Sequence, residues 1–165
     1  MAISSSENLK DLIKSQKAGY TLDQRFYTDP DIFQIDLDTF FFNHWVFIGH
    51  VSRIPNIGDY FLFETGNESI ILIRGKDNEI YAHHNVCRHR GSRVCLESSG
   101  NKKLLVCPYH AWSYNIDGTI KSARHMPDNF DSNKWSLKKC NLKIFEGLIF
   151  INLSDNPDNF DEFIK

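Results

Sequence analysis

The chain reads NVCRHRGSRVC at residues 85–95 and VCPYHAW at residues 106–112. Alone, the first stretch suits a zinc loop, a redox pair or a basic loop with buried thiols. Together the two repeat a pattern: Cys87-x-His89, then 17 residues, then Cys107-x2-His110. Each half offers one soft thiolate and one imidazole, and each follows an expected strand, in a loop where backbone can wrap a bound group. A structural zinc site takes two cysteines from one knuckle at C-x2–4-C spacing and its histidines from elsewhere. Mixed loops instead suit a centre with two chemically different metals, Cys87 and Cys107 on one and His89 and His110 on the other.

Around these stretches the texture is that of a β domain. The expected strands are WVFIGHV (45–51), YFLFET (60–65), SIILIR (69–74), IYAHHN (80–85) and KLLVC (103–107). GKDNE (75–79) is a hairpin turn, and WSYNIDGTIKSA (112–123) is a hairpin turning at Asp117-Gly118. LKIFEGLIFINL (142–153) is two strands broken near Glu146-Gly147. Short strands with frequent turns predict an antiparallel β-sandwich or small barrel. Before them, TDPDIFQIDLDTFFFNHW (28–45) predicts a helix capped by Asp29 with Pro30 in its first turn. Phe33, Leu37 and Phe40/Phe41 recur at helical spacing and are expected to pack on a core. NPDNFDEFIK at the end is polar and starts a helix. The expected organisation is a helical lead-in over 1–44, a β domain over 45–154 and a tail over 155–165.

Bulk properties narrow the function. With 165 residues, 41% of them hydrophobic, one compact domain with a real core is expected. The 13 Phe, 6 Tyr and 3 Trp suit a β-rich core. A net charge of −2 gives no reason to expect nucleic acid or an anionic membrane as partner. No apolar run approaches the roughly 20 residues of a membrane span. MAISSSENLKDLIKSQ has no apolar core of a secretory signal and reads as a weakly helical lead-in, so a cytoplasmic location is expected. Four cysteines do not make a disulfide framework in a chain of this size. No phosphate-binding glycine signature is present.

The ligand pattern resembles the Rieske motif C-x-H-x(15–17)-C-x2-H, in which two histidines replace two cysteines on one iron of a 2Fe–2S cluster. NVCRHRG and VCPYHAWSYNIDG are similar to the Rieske domain of ring-hydroxylating and related non-haem iron oxygenase α subunits. FYTDPDIF, WVFIGHVSRIPNIGDYF, CRHRGSRVC and GLIFINL resemble the branch acting on quaternary amines such as glycine betaine, choline and carnitine. The resemblance implies a small antiparallel β domain with the two ligand loops forming a cluster-binding tip. It implies Cys87, His89, Cys107 and His110 as metal ligands, and electrons arriving singly from a reductase or ferredoxin. Those electrons would leave for a mononuclear iron that activates dioxygen. By the same analogy the protein is a homo-oligomer, a trimer.

Beside the ligands, Gly91 and Pro108 are expected to shape the loops and Trp112 to pack beside the second one and shield the cluster. Arg88, Arg90 and Arg93 read either as a solvated basic loop or as side chains of which some order the ligand loops or dock an acidic partner. High-potential Rieske relatives carry a Gly-Ser pair after the second histidine, where this chain has Ala111 and Trp112. With no hydroxyl there, a reduction potential near the low end of the range of about −150 to +300 mV is expected. Tyr114 is nearby, and the sequence leaves its aim open. Tyr109 stands where those relatives have a disulfide cysteine, so Cys95 has no mate. Cys95 and Cys140 read as buried small hydrophobes. His83, His84, His44, His50 and His125 read as structural. The family's catalytic iron uses a 2-His-1-carboxylate triad. His125 is the last histidine, so no catalytic iron site is expected in this chain. The expected role is therefore one-electron transfer as a truncated or split α subunit working with a separate catalytic chain. The alternative is a free-standing Rieske-type ferredoxin between reductase and oxygenase.

Overall fold

A computed structural model describes residues 6–127 and 129–165. The first five residues of the expected lead-in lie outside them. Helices α1 (Ser6–Lys14), α2 (Arg25–Thr28) and α3 (Pro30–Asp36) open the chain. Leu12 of α1 and Ile32 of α3 are buried against each other. The Asp29 carboxylate accepts the backbone N–H of Asp31, with Pro30 in the first turn, so the predicted start of α3 is observed. After Asp36 the helix widens into a looser turn over Leu37–Phe41, closed by Phe42 N–H donating to the Leu37 carbonyl at 2.9 Å.

The expected apolar stripe is corrected here. Only Leu37 of the predicted set is buried, while Phe33, Phe40 and Phe41 are exposed. The helix is short, and the widened turn shifts the spacing, so the buried pair is Ile32 and Leu37.

Among the described residues ten antiparallel strands follow: β1 (Val46–His50), β2 (Asp59–Thr65), β3 (Glu68–Arg74), β4 (Ile80–His84), β5 (Ser99–Asn101), β6 (Leu105–Val106), β7 (Ser113–Tyr114), β8 (Ile120–Ser122), β9 (Asn141–Phe145) and β10 (Leu148–Asn152). They form sheets ordered β4-β3-β2-β5, β1-β10-β9 and β6-β7-β8. The sequence of β3 explains the layering. ESIILIR has no alternation because both faces are covered. Ile70 and Leu72 join a core with Ile48, Phe61, Ile149 and Ile151 under the β1-β10-β9 sheet. Ile71 and Ile73 face the other way, into a core with Cys87, Cys107, Trp112 and Tyr114. The central sheet thus separates a purely structural core from one that carries the motif residues.

Turn chemistry is as expected at two hairpins. Gly118, at φ +85°, closes the β7–β8 turn, and Glu146-Gly147 closes β9–β10 with φ values of +50° and +79°. Strand β5 was not anticipated, because Ser99, Gly100 and Asn101 are exposed and carry no apolar signal. The terminal helix α4 (Phe160–Phe163) is capped by Asn159 and buries Phe160 against Trp45 and Phe150. Among the described residues no helix is long and apolar enough to cross a membrane.

Candidate metal centre

The two motif stretches fold into loops with one backbone scheme. In the first, Cys87 N–H donates to the Ser92 carbonyl at 2.8 Å and the Cys87 carbonyl accepts from Gly91 N–H at 3.0 Å. In the second, Cys107 N–H donates to the Trp112 carbonyl at 2.8 Å and the Cys107 carbonyl accepts from Ala111 N–H at 3.0 Å. The fourth residue after each cysteine must turn left-handed: Gly91 has φ +72° and Ala111 has φ +57°. Gly91 does this without cost, whereas Ala111 holds a conformation that L residues disfavour by about 1–2 kcal/mol. Pro108 and Tyr109 lie exposed at the turn of the second loop.

These loops bring the four predicted donors together as two pairs. Cys87 and Cys107 are both buried and adjacent. Burial pushes the Cys87 thiol up, and the neighbouring Cys107 adds to this. Hydrogen bonds from Tyr114 and from the His89 backbone N–H pull it down. The His89 and His110 rings lie 4.7 Å apart at 75°. Desolvation, then the charges of His110, Arg90 and His125, hold His89 below the ordinary imidazole value, so it is neutral at pH 7. That is the form with a lone pair to give a metal.

The Nδ1 atoms of both His89 and His110 are buried and have no hydrogen-bond partner. Buried polar atoms are seldom left so, and on two rings 4.7 Å apart they are what metals bound between the loops would satisfy.

Aromatic rings wall the site. Trp112 is fully buried and stacks on His89 at 4.9 Å and 9°. Phe130 and Trp135 pack edge-on against Trp112 at 5.7 and 5.9 Å, and the indole N–H donates to the Arg124 carbonyl. Phe130 and Trp135 come from a stretch that gave no sequence signal. Tyr114 is also fully buried, and its aim is now defined. Its hydroxyl accepts the Arg88 backbone N–H at 3.0 Å and lies 3.3 Å from Cys87 Sγ. Burial, then the bond to Cys87, keeps the phenol protonated far above its ordinary range. Toward a Cys87 thiolate, which has no hydrogen to give, the phenol is the donor of this pair.

Ala111 and Trp112 bring no hydroxyl to the site, and Tyr114, whose aim the sequence leaves open, brings one. A hydrogen bond to a thiolate stabilises the more negative, reduced state of whatever the thiolate holds. At about 1 kcal/mol, and 59 mV per 1.4 kcal/mol for one electron, Tyr114→Phe should lower the reduction potential by about 40 mV. A redox titration showing an unchanged or higher midpoint would refute this.

The remaining expectations sort by partner. Arg93 of the first loop pairs with Glu64 of β2 and so orders the loop. Arg88 and Arg90 are exposed and make no ion pair among the described residues. All four cysteines are free thiols. Burial pushes Cys95 up to about 11 and Cys140 up to about 12, so both stay neutral. His83 is fully buried and bonds the Ile116 carbonyl at 2.9 Å, while His84 meets Glu68 at 3.3 Å. His50 bonds Ser52 and His44 lies 3.7 Å from Asp158.

An antiparallel β domain with two cysteine–histidine loops at one tip is the architecture of an iron–sulfur electron carrier. The chain belongs to the Rieske [2Fe-2S] domain family, whose model matches residues 44–145. Its cofactor is a Rieske-type 2Fe–2S cluster, and its role is electron transfer. The glycine betaine monooxygenase oxygenase subunit of Pseudomonas aeruginosa (strain UCBPP-PA14) is 38% identical over 155 residues, 93% of this chain and 36% of that one. The carnitine monooxygenase oxygenase subunit of Escherichia coli (strain K12) is 36% identical over 145 residues, 87% of this chain and 39% of that one. The crystal structure of naphthalene 1,2-dioxygenase from Rhodococcus sp. bound to indole matches with a TM-score of 0.84 and 30% identity, over 97% of this chain and 38% of that one. The chain thus spans about a third of the length of the curated relatives it matches.

Proposed function

We propose that Cys87 and Cys107 hold one iron and His89 and His110 the other, and that the chain works as the Rieske part of a non-haem iron oxygenase system. The observation that carries this is the pair of buried, partnerless imidazole Nδ1 atoms beside two adjacent buried thiols. Bound there, the cluster supplies a one-electron couple within about −150 to +300 mV. The protein supplies the rest. Tyr114 donates to Cys87, the ring of Trp112 fixes the plane of His89, and Phe130 and Trp135 keep water from that side.

The electron donor is a reductase or ferredoxin, and the acceptor is a mononuclear iron that lies outside these 165 residues. A quaternary amine is the substrate class of that system, supported by the similarity to glycine betaine and carnitine monooxygenase subunits. By analogy with the family, the proposed assembly is a homo-oligomer, a trimer. Arg88 and Arg90 stand exposed beside His89 and form the docking face for an acidic donor, whose approach weakens as salt screens it.

Arg88→Glu tests the docking face. Reduction by the cognate reductase should slow about tenfold at low salt, with the absorption spectrum intact, and the deficit should shrink as salt rises. An unchanged rate with unchanged salt dependence would remove Arg88 from the interface. The oxygenase reading itself is tested by reducing the cluster and supplying an oxygenase catalytic domain with its mononuclear iron, dioxygen and a quaternary amine. Reoxidation that depends on amine and catalytic domain supports it. Reoxidation equally served by unrelated oxygenases points to a free carrier.

A further inference from the structure

The two ligand loops share a backbone scheme but not a foundation. The second loop is the tip of a ladder, with Leu105 opposite Tyr114 and Val106 opposite Ser113. The first has no such stem. Strand β4 ends at His84, and the next strand, β5, pairs with β2 instead. We infer that Asn85 is the positioning residue that replaces the missing stem, closing the first ligand loop from inside and holding Cys87 and His89 in register with the second loop.

The side chain is fully buried. Its Oδ1 accepts the backbone N–H groups of Val94 and Cys95 at 2.9 and 2.8 Å. Its Nδ2 donates to the Cys95 carbonyl at 2.8 Å and to Ser69 Oγ at 3.1 Å. Both amide hydrogens and both oxygen lone pairs are used, the full capacity of an asparagine. The Asn85 backbone N–H donates to the Ser69 carbonyl at 2.8 Å, which anchors the residue to β3. One side chain therefore joins the start of the loop to its end and both to the central sheet. The clamp grips Cys95 through its backbone alone, at the carbonyl and the N–H, so it does not depend on the thiol. The loop's shape is thus set by the protein and not by the cluster, as a pre-organised binding site requires.

The inference rests on Cys87 and His89 being cluster ligands, which Cys87→Ala tests separately: a variant that keeps the cluster would defeat that reading and leave Asn85 without its role. Given the ligands, the experiment compares Asn85→Ala and Ser69→Ala with Ile149→Ala, a buried change in the other core. Iron release to a chelator, the reduced-state electron paramagnetic resonance line shape and the unfolding midpoint are measured for each holoprotein. At matched stability, Asn85→Ala should release iron about tenfold faster than Ile149→Ala, the equivalent of one lost buried hydrogen-bond partner, and broaden the signal, while Ile149→Ala keeps the native line shape. Ser69→Ala, which removes one of the amide's partners, should release iron about two- to threefold faster with little change in midpoint. Iron release that simply tracks global stability across all three variants overturns the inference. If Asn85→Ala does not fold, Ser69→Ala decides alone, and a native release rate there overturns it.

Discussion

Cys107→Ala should give a protein with the native β-sheet signature and no visible absorbance, iron or reduced-state resonance signal. The thiol is one of two adjacent buried sulfurs, and burial keeps the chain's other two thiols, Cys95 and Cys140, neutral. The second loop should keep its shape, because its closing bonds run through the backbone, from Cys107 N–H to Trp112 and from Ala111 N–H to Cys107. Cys95→Ala and Cys140→Ala provide the contrast. Both thiols are neutral and buried in apolar cores, so each substitution costs about 1 kcal/mol of packing and leaves the cluster in place. Metal analysis and absorption spectra check all three, and a coloured Cys107→Ala protein with native iron content would refute the ligand set.

Trp112→Ala should lower stability by about 3–5 kcal/mol, a large share of the roughly 5–15 kcal/mol that holds a domain together. The indole is fully buried and touches His89, Phe130 and Trp135, so its loss opens a cavity against three rings at once. The Arg124 carbonyl also loses its donor. Trp112→Phe keeps a ring against His89 and loses only the indole N–H and part of the volume, so about 1–2 kcal/mol is expected. Urea titration of both variants measures this. A cost below about 1 kcal/mol for the alanine variant would mean that Trp112 is not the keystone of the second core.

The ligand loops were legible because their chemistry is local: cysteine and histidine types at fixed spacing leave few alternatives. The same holds for the Asp117-Gly118 hairpin, where one dipeptide fixes the turn. SIILIR was legible as a strand, but its burial on both faces follows only from seeing two sheets close over it. Phe33 and Phe40 misled because helical spacing says which residues share a face, not whether anything covers it. Tyr114 and Asn85 were hidden for a different reason. Their roles are hydrogen bonds to residues 27 and 10 positions away, and spacing along the chain carries no signal for such pairs. Trp135 reaches Trp112 across a connecting segment, and only the folded chain shows it.

The central claim is that one metal of the pair carries both imidazoles. Pulsed electron paramagnetic resonance of the reduced holoprotein reads this directly. Two distinct strongly coupled histidine nitrogens, of which one disappears in His110→Cys, are the predicted result. A spectrum with no strongly coupled nitrogen, or a colourless protein carrying stoichiometric zinc, would contradict the account.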